Sequence, residues 1–151
     1  MKNYLLDTNL IVAIIRSQTF AVNLEKSHSF STNSLISVVV QGELQSLAIQ
    51  WDWGYAKIQK LQVLLQALLI YPLKVQTVID AYARIDAFSQ GKLPDEPLPA
   101  GLSSRNMGKN DLWIAATAHA TEATLLTTDM DFDHLDGVFF DLERIDIKLY
   151  L

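Results

Sequence analysis

The stretch Asn3-Tyr4-Leu5-Leu6-Asp7-Thr8-Asn9 decides the fold that this sequence predicts. Its short apolar run is typical of a strand buried on both faces of a parallel sheet. The run ends at Asp7, and Thr8 and Asn9 then offer helix-capping side chains before an apolar helix. A strand, an acid and a helix in succession form the first unit of an α/β fold. Ligands of open α/β sheets bind at the carboxyl ends of the strands, so Asp7 is the first candidate site residue.

Composition indicates a single globular domain over residues 1–151, because half of the residues are apolar and only 19% are charged. The absence of cysteine excludes disulfides, thiolate metal sites and thiol nucleophiles. We see no secretory signal at the N-terminus. The longest apolar region, residues 61–73, is interrupted by glutamines and is shorter than the roughly 20 residues that span a bilayer. We therefore expect a cytoplasmic protein that does not enter a membrane.

The net charge of −5 argues against a protein that holds nucleic acid only by neutralising phosphates. A role with nucleic acid requires local positive charge, supplied either by a bound cation or by a small basic patch.

Apolar periodicity predicts helices and short strands in alternation along the rest of the chain. Residues 92–109 contain three of the four prolines and form a long loop of a kind that is usually functional or mobile. The predicted helices cover residues 20–27, 38–48, 55–69 and 75–89 and a buried segment from residue 110. The predicted strands cover residues 35–37, 70–73, 124–128 and 138–140. The strand at residues 124–128 is followed directly by Asp129, and the strand at residues 138–140 is predicted to lie in the core.

Four acids are candidate site residues: Asp7, Glu43, Asp111 and Asp129. Each also has an ordinary structural explanation. Asp7 and Asp111 are placed where N-caps occur, Asp129 is placed where a strand ends in a turn, and Glu43 can lie at the solvent edge of its helix.

The four acids are harder to explain separately once the topology is considered. Two follow short buried strands and one opens a buried helix, so a parallel sheet would gather them at one end. Four converging carboxylates raise one another's pKa values unless a cation is present. Oxygen ligands without cysteine suit Mg²⁺ or Mn²⁺, and such ions activate water and neutralise developing charge in phosphodiester cleavage.

The ordered segments Tyr4 to Asn9, Ser37 to Leu44, Asn110 to Ala118 and Leu126 to Asp129 resemble the successive motifs of PIN domains, in particular VapC-type toxins. The resemblance covers nearly the whole chain. It implies a three-layer α/β fold with a central, mostly parallel, twisted sheet of four to five strands flanked by helices. It also implies a metal-dependent endoribonuclease with Mg²⁺ or Mn²⁺ as cofactor, RNA as substrate, a cognate antitoxin and a homodimer. The acidic site that it implies consists of Asp7, Glu43, Asp111 and Asp129.

Further residues have weaker claims to the site. Thr8, Asn9 and Thr128 are candidates to orient the carboxylates or waters, with helix capping as the alternative. Asp131 and Asp133 are candidate supplements to Asp129, with solvated turn acids as the alternative. Basic residues of the long loop, Arg105 and Lys109, are candidate RNA contacts.

Apolar and aromatic residues are interpreted first as structural. His119 is interpreted as a core or helix-face residue. Trp51, Trp53 and the leucines up to Leu69 are interpreted as core, with a partner-binding groove as the alternative.

Other functions fit the motifs less well. The Asp129, Asp131 and Asp133 spacing begins like a calcium loop but has His134 where that loop requires glycine. A P-loop and a serine-hydrolase elbow are both missing from the sequence.

Two alternative functions remain on a similar fold. A phosphoacceptor signalling module would use Asp7 or Asp129 and leave Glu43 and Asp111 unexplained, and a binding module would be catalytically silent.

Overall fold

The computed structural model describes residues 2–151. A five-stranded parallel sheet lies at the centre of the fold. The strands lie in the order β3-β2-β1-β4-β5. Their bounds are β1 Tyr4–Leu6, β2 Ser34–Ser37, β3 Leu69–Tyr71, β4 Thr124–Thr127 and β5 Leu142–Arg144. The opening strand is therefore central, and every strand points its carboxyl end toward the same edge of the sheet.

Six α-helices flank the sheet. Their bounds are α1 Thr8–Arg16, α2 Gln18–His28, α3 Val38–Gln50, α4 Tyr55–Ala67, α5 Gln76–Ser89 and α6 Lys109–Thr121, and two 3-10 turns cover Asp133–Leu135 and Ile147–Tyr150. α5 packs against α6, while α1 contacts α2, α3 and α4. The predicted α/β class, parallel sheet and flanking helices are confirmed. Among residues 2–151, none of the helices is both long and apolar enough to cross a bilayer.

The three middle strands form the centre of the core. Leu5 lies in register with Leu35 on one side and with Leu125 on the other. The side chains of Leu5, Leu125 and Ile36 have no solvent exposure, as expected for strands covered on both faces. This burial fixes the positions of the polar residues that follow β1 and β4.

The last predicted strand was placed too early. Residues 137–139 form a turn, Phe140 forms an isolated β-bridge with Asp136, and β5 begins at Leu142. Gly137 adopts φ +74°, and its N–H donates to the carbonyl of Phe140 at 2.8 Å. The ring of Phe139 nevertheless packs edge-on against Phe88. Apolar residues of this segment therefore pack into the core from a turn. Their apolar character correctly indicates burial, but it does not indicate a strand.

The helix after Gly54 is less buried than its leucine pattern predicts. Only Leu61 is buried within α4, and Val63 is 62% exposed. Trp53 is buried as predicted, but Trp51 is 46% exposed. The prediction that Trp51 is core is wrong, because its ring instead lies on the surface under the guanidinium of Arg16, at 4.5 Å.

Candidate metal centre

A cavity of about 640 Å³ opens at the carboxyl end of the central strands. All four predicted acids line it. The remaining lining residues come from the start of α1, from one face of α3 and from the first turn of α6: Thr8, Asn9, Val39, Gly42, Ser46, Leu47, Gln50 and Asn110. The parallel topology thus brings together acids that lie more than a hundred residues apart in the chain.

Asp7 is the most buried acid of the cavity, with 3% of its surface exposed. Its Oδ1 accepts a hydrogen bond from the N–H of Thr8 at 2.8 Å, and its Oδ2 accepts one from the hydroxyl of Thr127 at 2.7 Å. Burial raises its pKa to about 6, although both hydrogen bonds act in the opposite direction; Asp129 and Asp111 raise it further. Since Asp7 itself caps α1, the expectation that Thr8 or Asn9 would supply the cap is wrong.

The two residues after Asp7 hold two of the other acids. The hydroxyl of Thr8 donates to Oε1 of Glu43 at 2.8 Å. The amide of Asn9 donates to both carboxylate oxygens of Asp129, at 3.2 and 3.1 Å. The turn between β1 and α1 therefore sets the positions of three of the four carboxylates.

Asp111 enters the cavity from the first turn of α6. The N-cap of this helix is Gly108, so the alternative of Asp111 as a cap is wrong. Burial raises the pKa of Asp111 to about 6, and Asp131, Glu43 and Asp129 raise it further. The helix N-terminus favours a negative charge at this position, but the neighbouring carboxylates oppose it.

The donor set fits a hard divalent cation. Its ligands are carboxylate oxygens, which Mg²⁺ and Mn²⁺ prefer. Two of the acids have raised pKa values that a cation would relieve. Within residues 2–151, no three His, Asp or Glu side chains stand close enough together to form a ready coordination group. The carboxylates of Asp7, Glu43 and Asp129 hydrogen-bond to Thr127, Thr8 and Asn9. Binding an ion would therefore require the acids to move closer together.

The structure places the weaker candidates in different environments. Thr128 faces another cavity, which Arg16 also lines. The preceding residue, Thr127, has the predicted role instead: its hydroxyl contacts Asp7 and accepts the N–H of Asp129 at 3.0 Å. The sequence contained only a weak signal for it, since two adjacent threonines precede Asp129 and the alternation of the strand decides between them.

The remaining candidates lie outside the cavity lining. Asp131 is exposed but close enough to Asp111 to raise its pKa. Asp133 forms an ion pair with Arg144 at 3.0 Å. Arg105 and Lys109 are exposed, and His119 is an exposed helix-face residue whose Nδ1 lies 2.6 Å from the carbonyl of Phe139.

Three neutral polar residues of the cavity were not predicted. Ser46 and Gln50 come from α3, and Asn110 immediately precedes Asp111. Helical spacing supplies a signal for the first two, because they lie three and seven residues after Glu43 and so share its helix face.

The arrangement of strands and acids agrees with comparisons to known proteins. The family model described as the PIN domain matches residues 4–138, so the chain belongs to the PIN domain family. Among solved structures, it is similar to VapBC2 of Rickettsia felis bound to a DNA fragment from their promoter. That likeness has 26% identity, a TM-score of 0.70 and coverage of 95% of this chain and 98% of the other.

Two further solved structures share the fold. FitAcB from Neisseria gonorrhoeae is 23% identical with a TM-score of 0.70, covering 92% of this chain and 95% of that one. VapBC-5 from Mycobacterium tuberculosis, a member of the VapBC family of toxin-antitoxin systems, is 20% identical with a TM-score of 0.60, covering 96% and 100%. No curated protein matches the chain.

We expect Asp7→Asn to stabilise the metal-free protein at pH 7. A carboxyl whose pKa rises from 3.8 to about 6 on folding weakens the folded state above pH 6 by up to about 3 kcal/mol. Asparagine removes the charge and remains a good N-cap. Urea denaturation in EDTA should therefore show a gain on the order of 1 to 3 kcal/mol.

The pH dependence identifies the cause of that gain. The folded protein holds the proton of Asp7 more tightly than the unfolded chain, so this group's contribution to stability falls as pH rises from about 4 to about 6. The difference between Asp7→Asn and wild type should therefore vanish near pH 4. The exposed Asp141→Asn is the matched control and should show no such trend. A gain for Asp7→Asn that is equally large at pH 4 contradicts this account.

Proposed function

We propose that this protein is a metal-dependent endoribonuclease and the toxin of a toxin-antitoxin pair. The observation that carries the proposal is the cavity in which Asp7, Glu43, Asp111 and Asp129 converge within a PIN domain. The raised pKa values of Asp7 and Asp111 support it, because excess negative charge is what a divalent cation would balance. The phosphoacceptor alternative does not explain why Glu43 and Asp111 share the cavity.

The four acids would hold Mg²⁺ or Mn²⁺. Such an ion, when bound, activates water and stabilises the charge that develops on a phosphodiester. Thr127 holds Asp7 and the backbone of Asp129 in a fixed relation. Thr8 and Asn9 do the same for the side chains of Glu43 and Asp129. The role of these three residues is to position the ligands.

The cavity wall also offers neutral groups to a substrate. Gln50 and Asn110 have amides and Ser46 has a hydroxyl, and all three residues line the cavity. Each can donate to a phosphate oxygen without adding charge that would compete with the metal. RNA is the proposed substrate, and the cytoplasm is where the protein would meet it.

An antitoxin is the proposed protein partner, and five of the structural neighbours are VapBC or toxin-antitoxin proteins by their descriptions. The surface that suits it is an apolar groove of about 310 Å³ between α1, α2 and α4. Its apolar lining residues are Ile14, Ile15, Ala21, Val63 and Leu64. An amphipathic segment of a partner can bury its apolar side chains there. We also propose a homodimer, as the family resemblance implies.

RNA cleavage is the first test of this proposal. We expect the wild type to cleave mixed RNA when Mg²⁺ or Mn²⁺ is present and to stop when EDTA is added. Asp7→Asn should reduce the rate at least 100-fold, because it removes a charged ligand while keeping the helix cap. The readout is fragment formation on a denaturing gel.

Two controls make that result specific. The exposed Asp141→Asn removes the same charge far from the cavity and should cleave at the wild-type rate. If the wild type cuts no RNA, or if Asp7→Asn cuts as fast as wild type, the nuclease proposal is wrong. Uptake of phosphate from a small donor with RNA left whole would point to the phosphoacceptor alternative, and binding without cleavage to the silent module.

Metal binding should raise the melting temperature, because the ion binds the folded cavity and not the unfolded chain. Protons compete with the ion for Asp7 and Asp111, whose pKa values are about 6. The rise produced by millimolar Mn²⁺ should therefore be several degrees at pH 8 and much smaller at pH 5. An equal rise at both pH values, or a rise of the same size in Asp7→Asn, contradicts binding at this cavity.

The groove can be tested independently of catalysis. We expect Val63→Asp to abolish co-purification with a co-expressed cognate antitoxin, since it places a charge in the apolar groove. RNA cleavage by the free protein should not change. Ile79→Asp on α5 is the matched control, because Ile79 is also exposed but lies outside the groove. Retained binding by Val63→Asp would exclude this surface.

A further inference from the structure

A separate cavity, of about 310 Å³, lies beside the loop that precedes Asp111. Its lining combines two cations with three neutral polar residues: Gln90, Lys92, Ser104, Arg105 and Asn106. No carboxylate lines it. The lining therefore carries a net positive charge although the chain has a net charge of −5, and we call this cavity the basic pocket.

Backbone hydrogen bonds fix the two sides of the basic pocket. The N–H of Arg105 donates to the carbonyl of Ser89 at 2.7 Å, and the N–H of Lys92 donates to the carbonyl of Ala87 at 2.8 Å. Between them, Gly91 adopts φ +73°, and a Cβ at this glycine would lie 3.7 Å from Cβ of Ser104. The returning limb of the loop therefore packs closely on the end of α5.

The two cations are available to a ligand. None of the ion pairs found among residues 2–151 uses Lys92 or Arg105. By contrast, Arg84 on α5 forms an ion pair with Asp95 at 2.9 Å. The amide of Gln90 is already engaged, since it donates to Oδ1 of Asp86 at 2.9 Å. The arginine fork and the ammonium, beside the hydroxyl of Ser104 and the amide of Asn106, still make a donor-rich set, which is the chemistry that recognises a phosphate.

The basic pocket lies close to the acidic cavity. Asp111 follows Arg105 by six positions, and the last of these are helical, so the two Cα atoms are at most about 20 Å apart. Arg105 also lies near the turn that follows Asp129: burial lowers the pKa of His134 to about 4, and the charge of Arg105 lowers it further. Nε2 of His134 in turn lies 2.8 Å from the hydroxyl of Ser89.

We propose that the basic pocket is a second subsite that holds a backbone phosphate of the RNA, a few nucleotides from the bond cleaved in the acidic cavity. This inference rests on the proposed nuclease function. It explains how a chain of net negative charge can hold RNA beside a cluster of acids. Lys92 and Arg105 are positioning residues that act on the substrate's backbone and not on the reacting atoms.

The test is the double variant Lys92→Ala/Arg105→Ala, measured first by binding. The probe is a fluorescent single-stranded RNA of about 12 nucleotides, within the range that one binding domain covers, in EDTA so that the readout does not depend on catalysis. Each phosphate that is no longer neutralised lowers the slope of log affinity against log salt by about 0.7 for single strands, so the loss of one held phosphate should lower the slope by about 0.7. Affinity at low salt should fall about 10-fold.

Two controls separate the subsite from general charge and from misfolding. Lys57→Ala/Lys74→Ala removes two exposed lysines elsewhere and should leave the slope unchanged. Lys92→Arg/Arg105→Lys keeps both charges and should restore most of the affinity. The anchoring bonds are made by the backbone, so melting temperatures of all variants should match the wild type.

Cleavage then distinguishes this inference from the proposed function. With Mg²⁺ restored, the double alanine variant should raise KM for the same RNA about 10-fold and leave kcat near the wild-type value. Weaker binding with a shallower salt slope supports the subsite even if the wild type cuts nothing. If the double variant binds RNA like the wild type, the subsite is wrong while the nuclease proposal stands. If the wild type itself fails to bind RNA in EDTA, the subsite is also wrong.

Discussion

Asp7 places a carboxylate in a position almost closed to water, with three other acids around it. Burying a charge in this way is costly, and the raised pKa of Asp7 expresses that cost. The arrangement follows directly from the topology. β1 is the central strand of a parallel sheet, so its carboxyl end lies beside that of β4 and beneath the first turn of α6. The fold thus places four mutually repelling carboxylates at the carboxyl edge of the sheet.

The polar residues around Asp7 keep that charge organised. Thr127 bridges β4 to Asp7, and the adjacent residues Thr8 and Asn9 hold Glu43 and Asp129. These hydrogen bonds join residues that lie 35 to 120 positions apart in the chain, so they depend on the folded sheet and helices that bring the groups together. They give the carboxylates of Asp7, Glu43 and Asp129 a defined direction within the cavity. Functional sites commonly retain such local cost for the sake of chemistry.

Sequence patterns predicted much of this architecture because buried strands and amphipathic helices have strong periodic signals. They located β1, β2 and β4 and the acids that follow β1 and β4. The sequence patterns failed to predict features that depend on the conformation or orientation of a single residue. Thr127 and Thr128 are chemically identical, and only the strand's alternation turns the first toward Asp7. Asp7 rather than Thr8 caps α1, and a turn at residues 137–139 replaces the predicted strand. The exposure of Trp51 and Val63 depends on tertiary packing that no local pattern encodes.

The central claim is that the acidic cavity binds a divalent metal ion, and anomalous diffraction from crystals grown with Mn²⁺ tests it most directly. The account predicts an anomalous peak inside the cavity, in contact with the carboxylates of Asp7 and Asp111, that disappears in crystals of Asp7→Asn. A cavity without a peak at saturating Mn²⁺, or a peak that persists unchanged in Asp7→Asn, would contradict it.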